Sequence, residues 1–500
     1  MRIYLTSRLL AGSTAIALCS GPVFADITAQ DAWSNWRAYM EEFGYEIQAT
    51  EEAGAGSLAI KDLVATMDMP EESGQAQVNM SEMVFTENGE GAVSITIADS
   101  VPFSFSMDDG DEQVTANIMM THAGLSTIAS GNPDEITYAY GAENVTMALQ
   151  DLVVNGETIS DFSGEIAVNG IDGTTQFSLG ETMTSKDSMS AEQLSVMIKG
   201  VDPDTGDNVD FAMTLAGLNG TSEGTMPLGS FTSNPSAMFA DSLDLVADFT
   251  MQAAQISAAF EDEEGPGQLN LTTGPGAVDV EMTDELMSYG GKITDVAASV
   301  AAPDIPLPID VTFGELGYDF AVPLKASEEA QDFNLGLNFT DIGLSEFIWN
   351  LFDPGAILPR DAATLVLGLS GKATVFQDLV TLDENMSEAP GELNALSLDE
   401  LQLSAAGADV SGTGSFTFDN TDLVSFDGLP RPEGAIDVKL KGINGLIDKL
   451  IQMGLLPEEQ AMPARMMLGM FSVPVGEDEL TSRIEINEAG HVLANGQRLK

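Results

Sequence analysis

Apolar and polar residues alternate with a period of two through most of this chain, and this restricts the folds that it can adopt. Examples are residues 57–63 and 92–97, and turn sequences such as Glu87-Asn88-Gly89 separate such runs. Strands of this kind bury one face and leave the other in water. Gly and Asn tolerate the positive φ of tight hairpin turns. The pattern predicts a mainly β protein, a β-rich α+β fold of repeated antiparallel sheets, which we expect to be curved and able to form an elongated groove.

Residues 28–43 depart from the alternation and predict a leading helix. Trp33, Trp36, Met40 and Phe43 have the spacing of one helical face, and Thr28 can cap the helix N-terminus. An aromatic platform for a ligand is one interpretation of the two tryptophans. Docking of the helix on a sheet accounts for the same spacing, and we adopt this second interpretation.

A glycine followed by an apolar residue ends a long alternating strand at four places, which suggests an internal repeat. These places are Gly124-Leu125, Gly217-Leu218, Gly343-Leu344 and Gly442-Ile443. After the last two, apolar residues at i, i+3, i+4, i+7 and i+8 predict short helices near 344–352 and 444–453. We therefore expect repeated sheet modules with short helices after the strand breaks.

The first 25 residues have the character of an export signal. Arg2 and Arg8 give a positive start, Leu9 to Leu18 is a short, mostly apolar run, and Val23 and Ala25 suit cleavage before Asp26. We therefore expect export to the periplasm. No later segment has 18 uninterrupted apolar residues, so we expect no integral membrane segment. Prolines at 303, 306 and 308 do not suit a central strand, so we divide the remainder into β-rich regions 26–300 and 301–500.

The charge of the chain is strongly negative, with 79 acidic and 18 basic residues and a net charge of −61. Nucleic acid is excluded as a partner because its binding needs cationic contacts to phosphate. A solvated acidic exterior explains the charge, and cation binding is the alternative. The best calcium candidate is an acidic loop with a central Gly206 and the ligands Asp202, Asp204, Asp207 and Asp210. A plain turn between two strands explains this loop equally well.

Residues typical of catalytic sites are scarce. The histidines are His122 and His491, and the one cysteine, Cys19, lies in the leader. The sequence has no nucleophile elbow and no phosphate-binding loop. With so many acids, a pair of carboxylates at a glycosidase-like separation arises from composition alone. We expect a protein that is not an enzyme and has no cofactor, with a carboxylate-based hydrolase as an alternative.

The chain has 25 methionines, whose flexible side chains suit irregular apolar surfaces. They fit a groove for acyl chains, and they also fit ordinary packing in large sheets. The leading hypothesis is a cell-envelope protein that binds an apolar, lipid-like ligand or a partner protein. A calcium-stabilised structural or adhesive exported protein is the second hypothesis.

Three segments carry a resemblance to known families. They are residues 31–36 (DAWSNW), 442–450 (GINGLIDKL) and 490–496 (GHVLANG). Together they resemble the bacterial family known as domain of unknown function 2125, whose members are exported proteins of alphaproteobacteria. The last segment also resembles AsmA-like envelope proteins, which implies handling of lipids along a β-groove. Neither resemblance supplies catalytic residues.

Overall fold

The computed structural model describes residues 27–68, 74–108, 113–201, 206–228, 242–262, 265–303, 305, 307–381 and 389–499. The predicted leader at 1–25 lies outside these ranges. Four α-helices are described: α1 Ala29–Glu42, α2 Glu346–Phe352, α3 Ile443–Gln452 and α4 Glu458–Phe471. A 3-10 turn spans Leu379–Thr381.

The strands of the N-terminal half are long, and several reach 20 residues. They are β1 Glu46–Gly54, β2 Ser57–Asp68, β3 Gly74–Glu87, β4 Val93–Ile97, β5 Ser100–Asp108, β6 Gln113–Ala123, β7 Ser126–Asn132, β8 Glu135–Val154, β9 Glu157–Thr158, β10 Phe162–Leu179, β11 Thr182–Val201 and β12 Asn208–Pro227. The next are β13 Asp244–Met251, β14 Ala253–Asp262, β15 Gly265–Thr273, β16 Gly276–Thr283 and β17 Leu286–Ala301.

The remaining strands follow residue 308. They are β18 Ile309–Pro323, β19 Gln331–Leu344, β20 Ala363–Val375, β21 Gly391–Ala405, β22 Ala408–Asp419, β23 Arg431–Lys441, β24 Val473–Gly476, β25 Glu479–Ile486, β26 Val492–Ala494 and β27 Gln497–Arg498. β17 pairs with β18, so the sheet continues past residue 300. The division of the chain at that residue stays a prediction.

All 27 strands of the described residues join one antiparallel sheet. Most strands pair with their neighbours in the chain, which makes the sheet a long meander. At several places a strand is matched by two others lying end to end: β3 pairs with β4 and β5, β12 with β13 and β14, and β17 with β15 and β16. The predicted mainly β, antiparallel fold with an N-terminal helix is confirmed.

Five long strands bend at one interior residue with a positive φ, and a sixth such residue, Gly124, lies between β6 and β7. The five interior positions are Asp62, Gly170, Gly217, Asp295 and Asp341, and φ lies between 50° and 66° at all six. An extra residue at such a bulge shifts the phase of the alternation by one. In β12 the apolar positions accordingly step by three across the break, from Leu215 to Leu218. The bend therefore keeps the apolar side chains on one face of the sheet. The fourfold repeat itself stays a prediction.

The main buried core lies under α1, at the N-terminal end of the sheet. Trp33 is 1% exposed, and its ring meets the edge of Phe85 with 6.0 Å between centroids. Its indole Nε1 donates to Glu51 at 2.8 Å. The hydroxyl of Tyr138 lies 3.0 Å from the carbonyl oxygen of Ala32. The helix predicted at 28–43 is thus docked on the sheet, and a capping box between Thr28 and Asp31 fixes its start.

Three further helices lie in the C-terminal half, and two of them follow strand ends. α2 follows β19 and α3 follows β23, close to the predicted 344–352 and 444–453. α4 is not predicted by the sequence analysis, because Pro457 and Pro463 suggest an irregular segment. Pro457 instead precedes the first helical residue, and Pro463 lies inside the helix. No helix among the described residues is long and apolar enough to cross a membrane.

The start of α3 is capped by a residue that is distant in sequence. Gly442 has no side chain to cap the helix, and the carboxylate of Asp478 accepts hydrogen bonds from the backbone amides of Asn444 at 3.1 Å and Gly445 at 2.9 Å. Burial alone would raise the pKa of Asp478, but these amides and the side-chain amide of Asn444 outweigh it and lower the pKa. The cap is strongest when Asp478 is ionised.

We expect Asp478→Asn to destabilise α3 by about 1 kcal/mol, because one charged acceptor is lost at the helix N-terminus. Asn tolerates the positive φ of 49° at this position, so backbone strain does not contribute. Since the folded pKa is lowered, the contribution of the wild-type cap is present above the ordinary value of 3.8 and is lost as the pH falls through the folded pKa. Hydrogen exchange of the α3 amides measures the effect, and Glu477→Gln in the same turn is the control.

Candidate functional site

Two rows of residues cross the middle of the sheet on one face. Residues directly opposite in antiparallel strands share a face. The first row runs from β13 to β19 through Met251, Gly276, Ile293, Leu316 and Phe339. The second row lies beside it and runs through Phe249, Val278, Gly291, Tyr318 and Leu337. Two of these ten residues are glycines, and the other eight side chains are apolar apart from the Tyr318 hydroxyl.

Glycines form the floor between these rows. A Cβ at Gly291 would stand 2.6 Å from the ring of Tyr318, and one at Gly276 would stand 2.8 Å from the terminal methyl of Met251. The ring and the thioether therefore lie across the glycines, in the space that larger side chains would need. We call the surface of the two rows, with the cavity that they line, the apolar groove.

The apolar groove is open to solvent. Phe249, Val278 and Tyr318 are 49%, 40% and 46% exposed. Residues of both rows line a cavity of about 350 Å³, which lies in the roughly 300–1,000 Å³ range of small-molecule pockets. The surface is a shallow, nonpolar trough that can hold an apolar chain.

The opposite face of the same strands is polar and acidic. Val246 of β13 lies opposite Glu223 of β12 and Glu281 of β16. Asp248 lies opposite Asp279. The acidic excess of the chain is thus concentrated here on the face that the apolar groove does not use.

The first row continues in the C-terminal half as an apolar stripe. From Phe339 it passes to β20, β21, β22, β23 and β25. The residues are Leu365, Leu403, Val410, Leu440 and Leu480. The apolar groove therefore belongs to a longer apolar face.

In the other direction the second row leads to the core under α1. It passes from Phe249 through Gly220, Met189, Gly173 and Tyr140. From there it reaches Thr127, Ile95 and Phe85, which touches Trp33. Hence α1 covers one end of the same face that is open at the apolar groove.

Polar groups mark the boundary between the covered and the open parts of this face. Ser222 donates to the carboxylate of Asp187 at 3.2 Å, and Asp187 lies two residues from Met189 of the second row. Burial raises the pKa of the Tyr39 hydroxyl on α1, and the nearby charge of Asp187 raises it further. A carboxylate and hydroxyl groups therefore lie where the groove approaches α1.

The structure describes two of the four predicted calcium ligands, Asp207 and Asp210. Asp202 and Asp204 lie outside the described residues. Asp210 accepts a hydrogen bond from Lys199 Nζ at 2.8 Å across β11 and β12, and Asp207 lies just before β12. Within the described ranges no group of three or more potential metal ligands occurs. The calcium site stays a prediction.

The buried carboxylate of Asp353 is used for structure. Asp353 is 1% exposed, and it accepts hydrogen bonds from the backbone amides of Ile357 at 2.9 Å and Leu358 at 2.8 Å. The guanidinium of Arg360 donates to the Asp353 carbonyl at 3.0 Å and lies over the ring of Trp349. These contacts hold the turn after α2. The hydrolase alternative stays a prediction.

A larger cavity of about 1030 Å³ lies over β10 to β13. Its lining is mostly hydroxyl and carboxylate side chains, and its cation Lys186 pairs with Glu223 at 2.7 Å. Both partners are more than half exposed, so the pair is solvated. The apolar groove is the better candidate for a binding site, because folding of the chain leaves its apolar surface exposed to water.

Comparisons with known proteins give one family match. Residues 292–493 match the family described as uncharacterized protein conserved in bacteria (DUF2125), which confirms the family resemblance. No curated protein matches the chain. A solved structure of BauA, the ferric preacinetobactin receptor from Acinetobacter baumannii, aligns over 91% of this chain and 78% of that chain at 10% identity. The TM-score of this alignment is 0.16, which is too low to indicate a shared fold.

Proposed function

We propose that this protein, whose residues 292–493 match the DUF2125 family, is a non-enzymatic cell-envelope protein of the periplasm that binds a lipid-like ligand in the apolar groove. The observation that carries the proposal is the exposure of Phe249, Val278 and Tyr318 on one face. Contiguous exposed apolar surface is uncommon in soluble proteins and marks binding surfaces.

The chemistry of the apolar groove favours a chain over a polar ligand. Its floor is glycine and its walls are aliphatic and aromatic groups, which offer dispersion contacts and few hydrogen bonds. Covering the surface with an acyl chain removes apolar area from water, at about 25 cal/mol per Å². A ligand with many polar groups would lose its hydration here without replacement.

The length of the apolar face also supports the proposal that the ligand is extended. The stripe from Met251 to Leu480 crosses ten consecutive strand positions of the sheet. Neighbouring strands lie about 4.8 Å apart, so the stripe is roughly 40 Å long. A long acyl chain can therefore lie across the strands.

The export expectation and the acidic exterior suit this function. The polar face keeps the sheet soluble, and a net charge of −61 opposes aggregation through the open apolar face. A calcium-stabilised structural protein and a carboxylate hydrolase gain no comparable support from the described residues.

Titration with Nile red, an uncharged dye that fluoresces in apolar surroundings, tests the proposal. We expect saturable binding that a neutral lipid such as monoolein displaces. The dye is uncharged, so the acidic surface does not bias the measurement. Absence of saturable binding, or binding that monoolein does not displace, would count against the apolar groove as a lipid site.

A further inference from the structure

Helix α4 exposes an apolar surface that the apolar groove does not explain. Met462, Met466, Met467 and Met470 are between 53% and 70% exposed, and the following strand β24 exposes Val473 and Val475. We call these six residues the methionine patch. It lies at the last edge of the sheet, because β24 pairs with β25.

The methionine patch is one face of a helix whose other face is already packed. Ala461 is buried, and Ala464, Leu468 and Phe471 are partly buried on the side toward the protein. Met462, Met466 and Met470 recur every four residues on the outward side. A helix that is apolar on both faces normally has both faces covered. The outward face therefore lacks its covering partner.

The charge around the methionine patch differs from that of the rest of the chain. From residue 431 onward there are eight basic and ten acidic residues, a net charge of −2. The other 430 residues hold ten basic and 69 acidic residues, a net charge of −59. The patch thus occupies the nearly neutral end of a strongly anionic protein.

Two cations lie on elements of the patch or beside them. Arg465 lies on α4 itself, and its guanidinium pairs with Asp448 of α3. Lys441 Nζ is 3.7 Å from Glu479 of β25, the strand that pairs with β24. Long basic side chains beside an apolar helix face can reach lipid phosphates while their stems stay in apolar surroundings.

The methionine patch also adjoins the apolar face of the sheet. The carbonyl oxygen of Phe471, at the end of α4, accepts hydrogen bonds from Ser482 at 2.6 Å and Asn495 at 2.9 Å. Ser482 lies opposite Val438 on the same face as the neighbouring Leu480, where the apolar stripe ends. α4 therefore ends where the apolar stripe reaches the sheet edge.

We infer that the methionine patch docks on the surface of a lipid bilayer and so places the end of the apolar stripe at the membrane. The inference rests on the proposed function for the role of that placement. Methionine side chains adapt to an irregular, fluid partner. Two copies of this chain, each with a net charge of −61, would repel each other, whereas a zwitterionic bilayer has no net charge and does not repel the protein. A bilayer is therefore a more favourable partner for the methionine patch than a second copy.

Flotation of the full-length exported protein with phosphatidylcholine vesicles tests the inference. We expect the wild-type protein to float, and Met466→Glu with Met470→Glu to lower the vesicle-bound fraction by about tenfold or more, since two apolar groups that would insert into the bilayer become charged. Val424→Glu with Leu429→Glu is the matched control. These two residues are 90% and 68% exposed, and they lie between β22 and β23, at the opposite strand end from α3.

Three outcomes overturn the inference: a wild-type protein that does not float, a methionine variant that floats as well as the wild type, or a control variant that is equally impaired. Dimerisation that the methionine variant abolishes, without vesicle binding, would identify a second copy as the occupant. Met467→Glu alone serves as a milder variant if the double variant melts early. Nile red binding separates the two proposals, because the methionine variant should keep it.

Discussion

Trp33→Ala is expected to lower the free energy of unfolding by about 3–5 kcal/mol, the usual cost of emptying a buried aromatic site. Trp33 is fully enclosed between Trp36, Phe85 and the sheet, with ring centroids 5.6 Å and 6.0 Å away. Its removal also leaves Glu51 without the indole donor. Because natural proteins are stable by about 5–15 kcal/mol, this loss is a large part of the total. Urea unfolding followed by far-UV circular dichroism measures it.

Phe249→Ala is the control for this prediction. Phe249 is also an aromatic residue on the same face of the sheet, but it is about half exposed. We expect a cost of about 1 kcal/mol or less, since little buried area is lost. Equal destabilisation by the two substitutions would mean that Phe249 is covered as Trp33 is, and the apolar groove would not be open.

Val278→Asp is expected to weaken Nile red binding by about tenfold or more, because a carboxylate replaces an apolar wall of the groove and must be desolvated by the ligand. Val246→Asp is the matched control. Val246 is 44% exposed and Val278 is 40% exposed, and they lie on neighbouring paired strands but on opposite faces. The control should bind like the wild type.

The two valine variants have the same change in charge and nearly the same exposure. A general effect of added charge on solubility or stability would therefore impair both of them. Equal loss of binding in both variants, or retention of binding in Val278→Asp, would contradict the location of the ligand. Val246→Asp places a carboxylate opposite Glu223 and Glu281, so we expect it to have the lower melting temperature of the two. Normal Nile red binding by this less stable variant separates binding from folding.

Local sequence patterns were sufficient to predict the elements that depend on neighbouring residues. The spacing of Trp33, Trp36 and Met40 predicted α1, and the period-two alternation predicted the antiparallel strands. The breaks at Gly124 and Gly217 were also visible, because glycine commonly marks positive φ. The breaks at Asp62, Asp295 and Asp341 were not, since aspartate adopts this conformation much less often than glycine does.

The apolar groove depends on register between strands and so has no local signature. Gly276 and Gly291 resemble turn or linker residues in the sequence, yet they lie in β16 and β17 and form the floor. Only the pairing of five strands places Met251, Leu316 and Phe339 in one row. Composition suggested an apolar surface, but it gave no position for it.

α4 and the calcium loop show two ways in which local sequence patterns are insufficient: a helix that they do not predict, and a cluster of ligands that they suggest. Pro457 and Pro463 argue against a helix, but Pro457 lies at the helix start, where its missing amide costs little. The four aspartates of the predicted calcium loop share a short segment, yet Asp210 is engaged by Lys199. Sequence proximity does not determine which partner a carboxylate takes in the sheet.

Native mass spectrometry of the protein, purified without detergent from the cells that produce it, tests the central claim most directly. The account predicts a fraction of molecules that carry extra mass, released on gentle activation as a lipid-like molecule, and the absence of that mass in Val278→Asp. A single ligand-free mass, which does not change after incubation of the protein with a lipid extract, would contradict lipid binding in the apolar groove.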